Sequence, residues 1–124
     1  MKSLVFTLLA FLVTWQTAQA EVSMPKFFSD NMVLQRERPI RIWGRAANGE
    51  SVTVRFAGSE VSVQTDRTGR WEATLPAMAA DATPREMTVT GRADTVRFTN
   101  VVVGDVWLCS GQSNMEWRLD PTTD

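Results

Sequence analysis

The residues best suited to chemistry lie in Ser110-Gly111-Gln112-Ser113-Asn114-Met115, directly after the apolar run Val106-Trp107-Leu108-Cys109. A small polar turn at the end of an apolar strand is a useful place for a nucleophilic serine. The strand fixes the backbone, and Gly111 permits a sharp bend with no Cβ to clash. The residues that follow can open a helix whose free N–H groups face an incoming anion. The chemistry would be acyl transfer, in which a serine attacks a carbonyl carbon while a neighbouring base takes the hydroxyl proton. Ser113 is the candidate nucleophile, and Ser110 reads as structural. The same residues also fit a helix cap, because Ser113 and Glu116 have the spacing of a capping box, and on local pattern alone the cap is at least as good a reading. The block is not the Gly-x-Ser-x-Gly elbow of lipases, since Met stands at 115. The chain has no histidine, so the usual base is missing. Lys26, the one lysine beyond Lys2, lies far from Ser113 in sequence.

Other groups carry less. Glu116 and Asp120 have the types needed for glycosidic cleavage, but their i,i+4 spacing places them on one helical face near the surface. Trp43, Trp71, Trp107 and Trp117 would make a sugar-stacking platform if exposed together. Trp71 and Trp107 instead sit in apolar patterns that fit a core, which leaves Trp43, on the polar phase of its strand, as the one to test. Cys109 is the single cysteine and cannot form an internal disulfide; its apolar setting reads as a small buried hydrophobe. Clustered His and Cys ligands for a metal are absent, and no cofactor is implied.

The elements that must position the serine turn are strands. Residues 31–35 read as a first strand, and Pro39-Ile40-Arg41-Ile42-Trp43-Gly44 alternates apolar and polar residues. Ser51-Val52-Thr53-Val54-Arg55-Phe56 alternates with Val52, Val54 and Phe56 on one face, and residues 60–64 repeat the pattern with Val61 and Val63 inward. Asp66-Arg67-Thr68-Gly69-Arg70-Trp71 is the clearest hairpin signal, with Gly69 supplying positive φ. Trp71, Ala73 and Leu75 share a face of the strand after it. Residues 87–91 and 95–99 supply two further strands, and no long amphipathic helix precedes residue 110. At Asn100 the pattern changes. Val101-Val102-Val103 and residues 106–109 are continuous apolar runs, as in a strand buried on both faces of a parallel α/β sheet. The sequence therefore predicts a mainly β protein: a small β-sandwich module over 21–100, then the first strand and turn of a truncated α/β domain over 101–124.

Residues 1–20 read as a signal peptide. Lys2 precedes an apolar run from Leu4 to Trp15, and Ala18-Gln19-Ala20 is a small-x-small cleavage signal, so the cut is expected before Glu21. Thr7 and Thr14 break the run, which is short of the roughly 20 apolar residues a bilayer span needs. Export to the periplasm or the extracellular space is the expectation, with no membrane attachment after cleavage. Loss of Lys2 leaves twelve basic and fourteen acidic side chains, a balance of −2. No basic stripe is present to favour nucleic acid.

The serine block, together with Val103-Gly104-Asp105-Val106-Trp107-Leu108-Cys109 before it, resembles the nucleophile block of sialate O-acetylesterases. These are carbohydrate esterases of the SGNH (GDSL-like) superfamily, with acetyl-xylan esterases as relatives. Phe28-Ser29-Asp30-Asn31-Met32-Val33-Leu34-Gln35-Arg36, residues 39–44 and residues 66–71 resemble the family's N-terminal β-region, so the likeness covers nearly all of the chain after the leader. The resemblance implies that Ser113 is the nucleophile, that its backbone N–H serves the oxyanion hole, and that an acetylated carbohydrate, sialic acid or a related glycan, is the substrate. The family's Asp, His and remaining oxyanion donors come from later blocks whose positions are not in this sequence. The expectation is thus an N-terminal fragment, inactive by itself, of an O-acetylesterase. The alternative is a non-catalytic β-module that binds carbohydrate or packs against another domain. Ester turnover, set beside binding of a non-hydrolysable glycan, separates the two.

Overall fold

The computed structural model describes residues 20–111. Their elements are seven strands: β1 Val33–Gln35, β2 Ile40–Arg45, β3 Ser51–Phe56, β4 Ser59–Gln64, β5 Arg70–Leu75, β6 Asp81–Thr90 and β7 Thr95–Gly104. Five form one sheet in the order β1-β7-β6-β3-β4, and β2 and β5 form a two-stranded sheet. Every pairing is antiparallel except β1 with β7, which is parallel. The mainly β expectation is met.

The period-2 patterns dictate the core. Val52, Val54 and Phe56 from β3 and Met87 and Val89 from β6 are buried, and they share one apolar cluster with Ile40 and Ile42 of β2 and Trp71, Ala73 and Leu75 of β5. The inner faces of the two sheets therefore close over a common core, the arrangement of a sandwich. Val61 and Val63 of β4 are partly buried against it.

Two sequence expectations need correction. The first is the hairpin at 66–71. The turn is present, but β4 pairs with β3 and β5 pairs with β2, so the chain crosses here from one sheet to the other. Local turn chemistry fixes a reversal and says nothing about which strands pair across it. The second concerns Val101–Val103, assigned above to the next domain. β7 continues through Asn100 to Gly104 in the same sheet, where Val102, Val103 and Gly104 pair with Val33, Leu34 and Gln35. Val101 and Val103 are buried in the module's core, so the module reaches Gly104. What changes at Asn100 is local geometry. Asn100 sits at φ 54°, the left-handed region that Asn tolerates better than most residues, and its Nδ2 donates to Oδ1 of Asn31 at 2.7 Å. The β6–β7 register shifts alongside, between Asp81 and Arg85 and between Arg85 and Met87. The extra residue resets the inward phase, and two alternating halves of one strand then read as a change of pattern.

Glu50 ties the loops together. It is 2% exposed. Its carboxylate accepts from the Ala47 N–H at 3.0 Å and from the Arg92 N–H. Its own N–H donates to Thr65 Oγ1 at 2.9 Å, and that hydroxyl donates to the Ala47 carbonyl at 2.6 Å. Three chain connections, at 46–50, 65 and 91–92, meet on this group. Glu50→Ala leaves two backbone donors without their acceptor, at about 1–3 kcal/mol each when buried. The expected loss of stability is about 2–4 kcal/mol, read from the denaturant midpoint at constant slope. A loss under about 0.5 kcal/mol would show that water replaces the carboxylate and that Glu50 does not hold these loops.

Candidate functional site

The exit of the chain from the β-module is firmly held. The Arg36 N–H donates to the Gly104 carbonyl at 2.9 Å, Gln35 Oε1 accepts from the Val106 N–H at 2.9 Å, and Arg36 Nε meets Asp105 Oδ1 at 2.9 Å. The residues just after β1 thus grip the residues just after β7, next to their parallel pairing. From Val106 the chain runs on to Ser110 and Gly111 without strand pairing, and both are exposed. Ser113 lies outside the described residues, as do Glu116, Trp117 and Asp120. In sequence, six residues lie between Val106 and Ser113.

Two sequence expectations fail on this segment. Trp107 is 85% exposed, where its apolar pattern suggested a core position, and Leu108 beside it is 93% exposed. Cys109 is exposed as well, not a buried hydrophobe. The reason is topological: among the described residues no strand pairs with 106–109, so Trp107 and Leu108 stay largely uncovered.

A second constellation lies on the outer face of β2 and β5. Alternation turns Ile40 and Ile42 inward and Arg41, Trp43 and Arg45 outward, while β5 turns Trp71 and Ala73 inward and Arg70 and Glu72 outward. Trp43 lies opposite Glu72, and Arg45 lies opposite Arg70. Arg41 grips Glu72 with two hydrogen bonds, Nε to Oε1 at 2.9 Å and Nη2 to Oε2 at 2.8 Å. That bond raises the Arg41 pKa above its ordinary value and lowers that of Glu72. Trp43 is 39% exposed and packs on two phenylalanines, with ring centroids 5.2 Å from Phe27 and 5.1 Å from Phe28. Residues 23–25 form one wall. Ser23 pairs with Arg45 through reciprocal 2.8 Å backbone hydrogen bonds, and Gly44 has no Cβ where the Ser23 carbonyl passes. Together with Trp71 these residues line an open groove of about 870 Å³. The Trp71 indole Nε1–H is buried with no acceptor among the described residues. No cluster of His, Cys, Asp or Glu that would hold a metal occurs among the described residues.

Sequence reasoning had singled out Trp43 and missed its neighbours. The available signal was the polar phase Arg41-x-Trp43-x-Arg45. That Arg70 faces Arg45 depended on the β2–β5 pairing, which sequence did not give.

Curated relatives supply the family. A sialate O-acetylesterase from Homo sapiens is 31% identical over 129 residues, an alignment spanning 94% of this chain and 24% of the relative. The one from Mus musculus is 33% identical over 104 residues, 75% of this chain. A crystal structure of a carbohydrate acetylesterase from Xanthomonas citri superposes with a TM-score of 0.74 at 39% identity, covering 78% of this chain and 22% of the other. The chain belongs to the sialate O-acetylesterase family. No protein-family model matches it. The chain spans about a quarter of the length of the sialate O-acetylesterases it matches. Family membership extends across the β-module, since 94% of the chain aligns.

Proposed function

We propose that this member of the sialate O-acetylesterase family supplies the β-module and the nucleophile turn of an exported serine esterase that removes acetyl groups from sugars. The carrying observation is the alignment to sialate O-acetylesterases over 94% of the chain, in a sequence that contains Ser110-Gly111-Gln112-Ser113. In this reading Ser113 Oγ attacks the acetyl carbonyl carbon, and a base takes its proton. The sugar oxygen leaves with a proton, and water then cleaves the acetyl-serine ester to release acetate. The Ser113 N–H donates to the carbonyl oxygen as negative charge develops there. The β-module's part is mechanical: Gln35 and Arg36 fix where the chain departs toward the serine turn. The base comes from outside the 124 residues, which contain no histidine, so the chain by itself does not release acetate above background. In the same reading, the catalytic domain that the serine turn opens is of the SGNH type.

The test of activity is acetate release from O-acetylated sialic acid and from acetylated xylan, by this chain and by a protein of the relatives' full length. Release by the longer protein alone supports the reading. Turnover by the chain alone that Ser113→Ala removes would mean that a base is present within it. For export, Glu21 is the expected first residue of the secreted protein on N-terminal sequencing; a secreted product still starting at Met1 would refute the cleaved leader.

The second reading, a carbohydrate-binding module, draws support from one observation: the outer face of β2 and β5 leaves Trp43 half-buried in a groove beside charged side chains.

A further inference from the structure

Arg45 and Arg70 lie directly opposite one another across the β2–β5 pair. Like charges at such positions repel and weaken the pairing. Neither guanidinium has an ion-pair partner among the described residues. Of the acids nearby, Glu72 is engaged by Arg41, and Asp66 is held by its own turn while feeling the charge of Arg70. Both Glu72 oxygens are taken by Arg41. Asp66 Oδ1 accepts from the Thr68 and Arg70 backbone N–H groups and from the Thr68 hydroxyl. The groove thus carries three arginines against one glutamate, on a chain whose formal net charge is −1. Trp43, packed on Phe27 and Phe28, lines the same groove as the two arginines. An aromatic ring next to paired cations matches a ligand with an apolar ring face and a carboxylate.

We propose that the β2–β5 groove is a second carbohydrate subsite, separate from the serine turn, that takes a carboxylate-bearing sugar. Arg45 and Arg70 hold the carboxylate, and Trp43 stacks against the sugar ring. The choice of a sugar over other carboxylate ligands rests on the acetylesterase reading above; the choice of an acidic over a neutral ligand rests on the arginines alone. Such a subsite would hold an acidic glycan near the enzyme without taking part in ester cleavage.

The test is titration of the purified chain, by tryptophan fluorescence and calorimetry, with the methyl glycoside of N-acetylneuraminic acid, with galacturonic acid oligomers and with neutral xylo-oligosaccharides. Binding of an acidic sugar at least tenfold tighter than the neutral one is expected, weakening with added salt. The double variant Arg45→Gln, Arg70→Gln is expected to remove that tenfold preference. Trp43→Ala is expected to weaken binding of acidic sugars at least tenfold, and Trp43→Phe, which keeps an aromatic ring beside Phe27 and Phe28, to retain part of it. Equal affinity for acidic and neutral sugars, or affinity unchanged in the arginine double variant, overturns the proposal. So does binding by this chain that vanishes in the full-length protein, because another part of that protein would then fill the groove. Acetate release from nitrophenyl acetate by the full-length protein keeps the two readings apart. If it is absent while acidic-sugar binding persists, the esterase reading fails and the groove stands. If it is present while no sugar binds the groove, the groove fails and the esterase reading stands.

Discussion

Ser113→Ala in a protein of the relatives' full length is expected to lower acetate release by at least about a thousandfold, with folding and sugar binding unchanged. Removing the nucleophile eliminates the covalent path, and what remains is the smaller assistance given by oxyanion donors and substrate positioning. Ser110→Ala is expected to keep most of the activity, because the proposed function gives Ser110 no part in the chemistry. The pair of variants discriminates between the two readings of the block. A capping serine lost to alanine costs about 1 kcal/mol of stability and leaves the rate intact. A nucleophile lost to alanine leaves stability intact and removes the rate. Initial rates on nitrophenyl acetate and thermal melts of both variants decide it, and wild-type rates for Ser113→Ala would take Ser113 out of the mechanism.

Gly69→Val is expected to destabilise the β-module by more than about 2 kcal/mol, a fall in melting temperature on the order of 10 °C or more for a domain of this size. Gly69 sits at φ 76°, in the left-handed region that side chains resist. A Cβ there would lie 2.5 Å from the Ala46 carbonyl oxygen, which is backbone of a buried residue. Nor is the turn free to move away. The Gly69 carbonyl accepts from the Ala46 N–H at 2.9 Å, the Gly69 N–H donates to the Asp66 carbonyl at 3.0 Å, and the Asp66 N–H donates to the Arg70 carbonyl at 2.8 Å. Gly58 is the control. It has φ 80° but open space where its Cβ would go, so Gly58→Val isolates backbone strain from the clash. Denaturant melts are expected to rank Gly69→Val well below Gly58→Val, and equal midpoints would show that the Ala46 contact does not matter.

The same turn depends on an ionised carboxylate. The hydrogen bond from the Thr68 hydroxyl, then those from the Arg70 and Thr68 N–H groups, lower the Asp66 pKa from its ordinary value. A lowered folded-state pKa contributes stability above the ordinary carboxylate range, and that contribution disappears as pH falls through the folded value.

Sequence alone determined most of the strands and their inward faces, but not the full extent of β6 and β7. Alternation at Val52, Val54 and Phe56 and at Trp71, Ala73 and Leu75 is a local signal, because side chains on a strand point to opposite faces in turn whatever the strand pairs with. The positive φ at Gly69 was legible for a similar reason: turn geometry is settled within four residues. The serine block was legible as a motif, through residue types and spacing. Pairing was not legible, because it depends on contacts between residues distant along the chain. The tertiary structure decided that the turn at 66–69 joins two sheets, that β7 runs through a kink at Asn100 to Gly104, and that Arg45 faces Arg70. It also decided that residues 106–108 are exposed. An apolar run reads as buried in sequence, but burial requires a covering partner, and only the arrangement of the other strands shows whether one is there.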